Sequence, residues 1–332
     1  MVAPADATNQ AVTWISSDTT KATVANGVVT AVAAGTATIT VTTTDGSKTA
    51  TCTVTVSAHI PTNLETIFST TGVTATFNAV HTAIVNGTYT TKIFVGDYID
   101  LPSLTITGSG TITDQDLGTP GNANYHGRLL RLIVVGINSF KRNSTGAGSV
   151  TANNPGAPDH VVFQFQNVPV THNMNGLDTN VGGYAGSAMK TYLTGDFLTD
   201  LKTATGLTNT ELWAPSRRVW NGFLSGQYGS SSSNTTVDTI ADELWLPTEW
   251  EMFGSRSYSS PHEAIAGQAR LEYYAMYSSR IKYDNSNTAN LYWSASPYPA
   301  SSADFCDVAS NGSSYHHTAS SVYGCAPAFC VK

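Results

Sequence analysis

The C-terminal part of this chain concentrates the side chains best suited to chemistry. Tyr298, Asp304, Asp307, Ser310, Asn311, Ser313, Tyr315, His316, His317, Ser321 and Tyr323 fall within one short stretch. Their combined chemistry is recognition. Tyr gives large contact area at small entropic cost, and Ser, Gly and Asn adapt their hydrogen bonds. Exposed Tyr and His are expected to be the hot spots of a ligand-binding face, with the neighbouring Ser, Asn and Asp tuning fit. Phe305, Cys306, Val308, Cys325, Phe329 and Val331 alternate with them and read as fixed scaffold strands. The competing reading is a plain Ser/Gly-rich surface loop with no ligand.

Other chemistries are less well supplied. His316 and His317 are adjacent, and adjacent residues seldom converge on one ion. Glu249 and Glu251 lie in "LWLPTEWEMFG", where Thr248 and Glu251 have capping-box spacing; Trp245, Trp250 and Phe253 make them capping carboxylates in an aromatic core rather than an acid/base pair. Trp213 and Trp220 also read as core. The stretch "NMNGLDTNVGG" at 173–183 could hold a structural ion, although turns made through side-chain-to-backbone bonds are expected there. Cys52, Cys306, Cys325 and Cys330 are too few for a disulfide framework and lack zinc-ligand spacing; buried free thiols and one bridge involving Cys306 both stay open. Cys325 and Cys330 have an odd offset, so on one strand they face opposite sides. There is no Gly-x-Ser-x-Gly elbow, phosphate-cradling loop or His-Glu-x-x-His helix. The expectation is a protein that is not an enzyme and uses neither cofactor nor metal.

The elements that must hold these residues follow from composition and pattern. A chain of 332 residues with 41% hydrophobic content can bury a large core and holds two or three domains. Only 12% of residues are charged, while Thr, Ser, Gly and Asn abound, as suits short strands and many turns on extracellular or virion-surface modules. A net charge of −7 excludes nucleic acid as partner. No apolar run approaches the ~20 residues of a membrane span, so no membrane insertion is expected. "MVAPADATNQ" shows no signal peptide, which implies a fragment of a longer exported protein or another route outside, such as virion assembly.

Along residues 1–58, "TATITVT" and "TATCTVTV" alternate with period two between the turn signals "ANG" and "DGS". Residues 59–91 read as a linker or adaptor, with strands at "VTATF" and "HTAIV". At 92–108 an apolar strand, a Gly-Asp turn and a second strand are expected. Residues 128–140 and 159–168 are the strongest strand candidates, and 141–158 has loop composition. Helical spacing predicts a helix over 187–205 interrupted at Gly195, and another over 267–280 with Leu271, Tyr274 and Ala275 on one face. A short helix is expected after Thr248. This is a mixed α+β pattern.

Two resemblances organise these elements. "VTWISSD", "ATVANGVVTAVAAGTATIT" and "KTATCTVTV" resemble a bacterial immunoglobulin-like domain of group 2, implying an all-β sandwich. Such domains open with two further strands, so this one is expected to be truncated at its N-terminus with one sheet edge uncovered. "LPTEWE" resembles an element of the formylglycine-generating branch of the C-type lectin fold. "GDYIDLPSL", "GRLLRLIVVGINSF", "HVVFQFQNVP", "LWAPSRRVWNG", "ARLEYYAM", "YWSASP" and "GCAPAFCV" extend that likeness across 92–332, implying an α+β C-type lectin fold. Cys325 and Cys330 share the C-x4-C spacing of that branch's active cysteines. They lie in the closing strand, though, and "APAF" supplies no cation to lower a thiol pKa. The calcium-dependent carbohydrate binding of many C-type lectins would need Glu-Pro-Asn or Gln-Pro-Asp, and neither occurs.

The likeness extends to domains of gut Firmicutes and their phages that serve as variable proteins of diversity-generating retroelements. There, adenine randomisation turns AAY codons into NNY, which cannot encode Lys, Glu, Gln, Met or Trp. Residues 294–331 contain none of these five types, although they make up roughly a tenth of the preceding chain and about four would be expected. The resemblance therefore implies a non-catalytic receptor-binding or adhesin protein on a virion or bacterial surface, with a protein or glycan on a bacterial surface as ligand. Oligomerisation would involve other parts of the full-length protein. The alternatives are a structural virion or cell-surface decoration protein without a ligand and a calcium-dependent carbohydrate binder.

Overall fold

The computed structural model describes residues 9–45, 47–140, 154, 156–263 and 270–332. Most of the loop read over 141–158, most of the opening decapeptide, Gly46 of the "DGS" turn and residues 267–269 of the second expected helix lie outside them. The chain is mostly β-sheet with few helices and divides into two compact units, Met1–Ile60 and Pro61–Lys332.

In the first unit, alternating Thr and apolar residues build an antiparallel sheet in the order Val12–Ser16, Gly35–Thr43, Thr49–Val56. A hairpin, Ala22–Ala25 with Val28–Ala31, turns through Asn26 and Gly27, both at positive φ (50° and 79°), which a two-residue hairpin turn of this twist requires. Among the described residues of the unit, Ala22, Ala37 and Ile39 are the buried ones, consistent with a small immunoglobulin-like sandwich. Among the described residues Thr49–Val56 pairs on one side only.

The second unit contains the strands expected from the apolar runs. Arg131–Ile137 and Val161–Phe165 pair with each other inside a sheet ordered Leu212–Trp213, Ala328–Val331, Val161–Phe165, Arg131–Ile137, Tyr98–Asp100 among the described residues. Ala328–Val331 is central. It pairs along its whole length with Val161–Phe165, and its other edge is shared by Leu212–Trp213 and Leu244–Trp245. A second sheet, in the order Val170–His172, Tyr323–Cys325, Tyr292–Pro297, Asp304–Val308, Ser314–Thr318, presents the C-terminal segment.

Residues 73–85 correct the linker reading. The two expected strands form one helix, Val73–Val85, and it belongs to the second unit's core. Its Thr and β-branched residues favour strand locally, but Val73, Phe77, Val80 and Ile84 recur at helical spacing and are all buried, so tertiary burial overrides propensity. Phe77 meets Phe163 edge-on (5.2 Å) and lies 6.1 Å from Phe329. Leu64–Phe68, capped by Asn63, is a further helix in the same stretch. Residues 92–95 are not a strand either. They follow a one-turn helix, Tyr89–Thr91, and the buried Asp97 carboxylate accepts from the Phe94 and Thr62 amides to fold the turn.

The first expected helix forms as Ala188–Tyr192 and Leu198–Thr205, with Gly195 at the kink between them and Ser187 accepting from the Lys190 amide at its start. The second is only Glu272–Met276; Leu271 and Tyr274 are buried but Ala275 is exposed. Thr248 and Glu251 make the reciprocal capping box at Glu249–Phe253. Trp220 and Trp245 are buried, whereas Trp213, Trp250 and Phe253 are half-buried. The four cysteines are free thiols; Cys52 is exposed and the other three are buried. Burial pushes the Cys306, Cys325 and Cys330 thiols well above the ordinary range, the opposite of what an active thiolate needs.

If Val73–Val85 is core rather than linker, Phe77→Ala should cost about 3–5 kcal/mol in denaturant unfolding of the whole chain. Loss below ~1 kcal/mol would return the segment to linker status.

Candidate functional site

The expected recognition residues lie around the edge strand Ser314–Thr318. Its partner, Asp304–Val308, is joined to it by a hairpin whose turn is set locally. The Asn311 carboxamide oxygen accepts from the Ser313 amide and hydroxyl, and the Ala309 amide donates to the Ser313 carbonyl. Gly312 sits at φ 84°, where a side chain would be strained and would press on Ile281. Ser310, Asn311 and Ser313 are exposed at this turn, and Ser321, beyond the strand, pairs with the Thr318 hydroxyl.

Aromatic rings run continuously across the face. Trp293 touches Tyr323 (5.2 Å), Tyr323 touches His317 (4.9 Å), and His317 touches Tyr315 (5.2 Å). Tyr315 stacks on His316 (5.0 Å, 10°), and His316 stacks on Tyr298 (3.9 Å, 19°). Tyr258 packs against Tyr298, Tyr315 and His316 together. Tyr315 is 44% exposed and the two imidazoles are partly exposed, so the middle of the ladder is accessible from solvent while Trp293 is buried beneath its end.

The two histidines diverge. His316 Nδ1 bonds Asp304 Oδ2 (2.8 Å) and His317 Nδ1 bonds Asp307 Oδ2 (2.6 Å). A carboxylate accepts, so Nδ1 carries the hydrogen and Nε2 is the acceptor of each neutral ring. No group of three or more metal-ligating side chains forms among the described residues.

Asp307 requires a correction. It was expected on the binding face, yet its side chain is fully buried. Both sides of Asp304–Val308 are covered, so period two no longer separates inside from outside. Burial raises its pKa, and the His317 hydrogen bond opposes that rise. Asp307 therefore orients His317 and cannot contact a ligand. Phe305, Cys306, Val308, Cys325, Phe329 and Val331 are all buried.

Three supports lie outside the C-terminal stretch. Asn180 is buried, and its Nδ2 reaches the carbonyls of Tyr298 (3.1 Å), Ser301 (2.8 Å) and Asp304 (2.8 Å), while its Oδ1 accepts from the Phe223 amide. The Asn-rich stretch at 173–183 thus makes side-chain-to-backbone bonds, Asn175 to Thr179 among them. Glu249, also buried, accepts from the amides of Ser257, Tyr258 and Ser259 and from the Ser314 hydroxyl, tying the loop that carries Tyr258 to the edge strand. Glu263 accepts from the Ser296 hydroxyl (2.7 Å) and the Trp220 amide (3.0 Å). The sequence signal for Tyr258 is weak, since only the grip of Glu249 brings it to the face. Asn311-Gly312, by contrast, is a readable hairpin signature.

With this geometry established, comparison places the chain. Residues 160–332, just over half of it, match the family described as domain of unknown function (DUF6273). The chain belongs to the DUF6273 family. The DUF6273 segment spans the whole aromatic ladder, Asn180 and the three buried glutamates, Glu249, Glu251 and Glu263. Residues 1–54 match bacterial Ig-like domain (group 2). No curated protein matches the chain.

Two outcomes follow for this DUF6273 protein. Asn180→Ala leaves buried carbonyls unmatched and should cost about 2–3 kcal/mol in chemical denaturation, whereas Tyr315→Ala should cost less than ~0.5. Burial pushes Glu263 from its ordinary 4.5 up to about 8, helped by Glu249 and Glu251 and opposed by its hydrogen bonds. The native state keeps the proton where the unfolded chain has lost it, so this contribution is complete below 4.5 and lost as pH rises through about 8. Glu263→Gln should therefore gain stability relative to the parent between pH 5 and 8, on the order of 3 kcal/mol, read as the difference between paired melting curves. A difference flat in pH would contradict it.

Proposed function

We propose that this protein is a non-catalytic ligand binder, a phage receptor-binding protein or bacterial adhesin, whose second unit has a C-type lectin fold and displays a face diversified by a retroelement. The observation that carries this reading is the aromatic ladder from Trp293 to Tyr258, partly exposed yet held by bonds to backbone and to buried carboxylates. Side chains such as Tyr315, Asn311 and Ser313 can then be exchanged without unfolding the sheet. The absence of Lys, Glu, Gln, Met and Trp from 294–331 supports the same reading, as does the ordered set of lectin-like motifs. The partner is a protein or glycan on a bacterial surface, met outside the cell, and multivalent display would raise a modest individual affinity.

The test is binding of the labelled full chain to a panel of bacterial strains by flow cytometry. At least one strain should bind, and the combined Tyr298→Ala, Tyr315→Ala and His316→Ala variant should lose about tenfold or more in affinity with its melting temperature nearly unchanged. Equal binding by parent and variant would overturn the assignment of the face. In sister genes, substitutions should cluster at adenines of the codons for 294–331; variation spread evenly would favour surface decoration without a ligand.

A further inference from the structure

We infer that the second unit also carries a cleft for a small planar carboxylate bearing a hydroxyl, built from residues outside the display segment. The cleft has a volume of about 380 Å³, within the range that holds small ligands. Its walls include His126, Gln166, Tyr273, Arg280, Lys282 and Tyr283, none of which lies in 294–331.

Three features define the ligand. The first is charge. Arg280 donates to the carbonyls of Met252, Ser278 and Tyr274, and Lys282 donates to those of Phe165 (2.6 Å) and Gln166 (3.0 Å). Among the described residues neither has a carboxylate partner. Arg131, in the same cleft, is by contrast matched by Asp100 at 2.6 and 2.9 Å. The Lys282 ammonium is buried without a counter-ion among the described residues, a costly state that an anion completes, and the partly exposed Arg280 guanidinium adds positive charge beside it. An ammonium has three hydrogens, and two of those on Lys282 are engaged. Burial holds this amine down to about 7, and an anion alongside would restore its charge.

The second feature is shape. His126 lies flat on Tyr283 at 3.6 Å and 3°, and Tyr273 and Tyr274 stand edge-to-face, so the walls suit a planar ring. The third is an orphaned acceptor. Gln166 Oε1 is buried without a donor, and a ligand hydroxyl would supply one.

Calorimetry of the full chain with 4-hydroxybenzoate tests the proposal, with neutral 4-hydroxybenzyl alcohol and hydroxyl-free benzoate as comparisons. Saturable binding of 4-hydroxybenzoate is expected, with the alcohol about tenfold or more weaker and benzoate about fivefold weaker. Arg280→Gln should weaken 4-hydroxybenzoate about tenfold while leaving the alcohol unchanged, and Tyr315→Ala should alter neither. Should Lys282→Met fail to fold, Arg280→Gln carries the test, because its partly exposed side chain is replaced by a polar one. Equal binding of acid and alcohol, indifference to Arg280→Gln, or no saturable heat at about 10 mM probe would overturn the cleft assignment. The display-face reading would stand untouched by any of these results.

Discussion

The second unit depends on one strand. Ala328–Val331 has backbone partners on both edges at every residue, and its four side chains are buried. Phe329 stacks on Phe163 at 5.6 Å and both meet Phe77, so the strand joins the main sheet to the helix Val73–Val85. Its position also governs the display segment. The other end of that segment is Tyr292–Pro297, likewise buried throughout. A stretch clamped between two core strands can vary in between while its ends stay fixed. Gly324 completes the clamp: any side chain there would strike the Leu291 carbonyl and Val168, where its strand meets Tyr292.

Between the clamps, buried polar groups fix the position of loops and turns. Asn180 holds the turn after Tyr298, Glu249 holds the Tyr258 loop, and Arg217 pairs with Glu251 through two bonds of 2.8 and 2.6 Å with both side chains buried. A buried pair of this kind adds little net stability over apolar packing, yet losing one member strands the other. Such groups specify position more than they add energy. On the proposed reading, that suits a framework whose face would keep one geometry through many side-chain changes.

How far this was legible depends on where the determining contacts lie. Val161–Phe165 announces itself because both its faces are buried and the apolar run is continuous. The capping box at Thr248 and the break at Gly195 are local signals and were readable as such. Val73–Val85 was not, because its Thr, Val and Ile residues imitate strands and only contact with Phe163 and Phe329 fixes the period. Asp307 was misassigned to the face for a related reason: polarity suggested exposure, while the decisive fact is a bond to His317 across the hairpin. Tyr258 and Asn180 join the site from distant sequence, one by its amide bond to Glu249 and its ring contact with Tyr315, the other by bonds to backbone carbonyls, none of which a residue pattern encodes.

The same distinction separates the two surfaces of the unit. On the display face each histidine already has its carboxylate, although Asp307 Oδ1 is itself buried without a partner; what faces solvent is ring surface, imidazole nitrogen and the polar turn of Ser310, Asn311 and Ser313. In the cleft, Arg280 and Lys282 meet neutral carbonyls, and Gln166 keeps an acceptor without a donor. A folded chain satisfies its buried polar groups wherever its own residues suffice, so a local shortfall of counter-charge points to something the chain does not supply. On the proposed reading the face is held by its framework whichever side chains it carries. In the cleft, Arg131 has Asp100 while Arg280 and Lys282 have no carboxylate among the described residues, the imbalance from which a complement is inferred. On the proposed reading one scaffold would support a variable contact and a fixed one, because the residues that set each are held by different parts of the core.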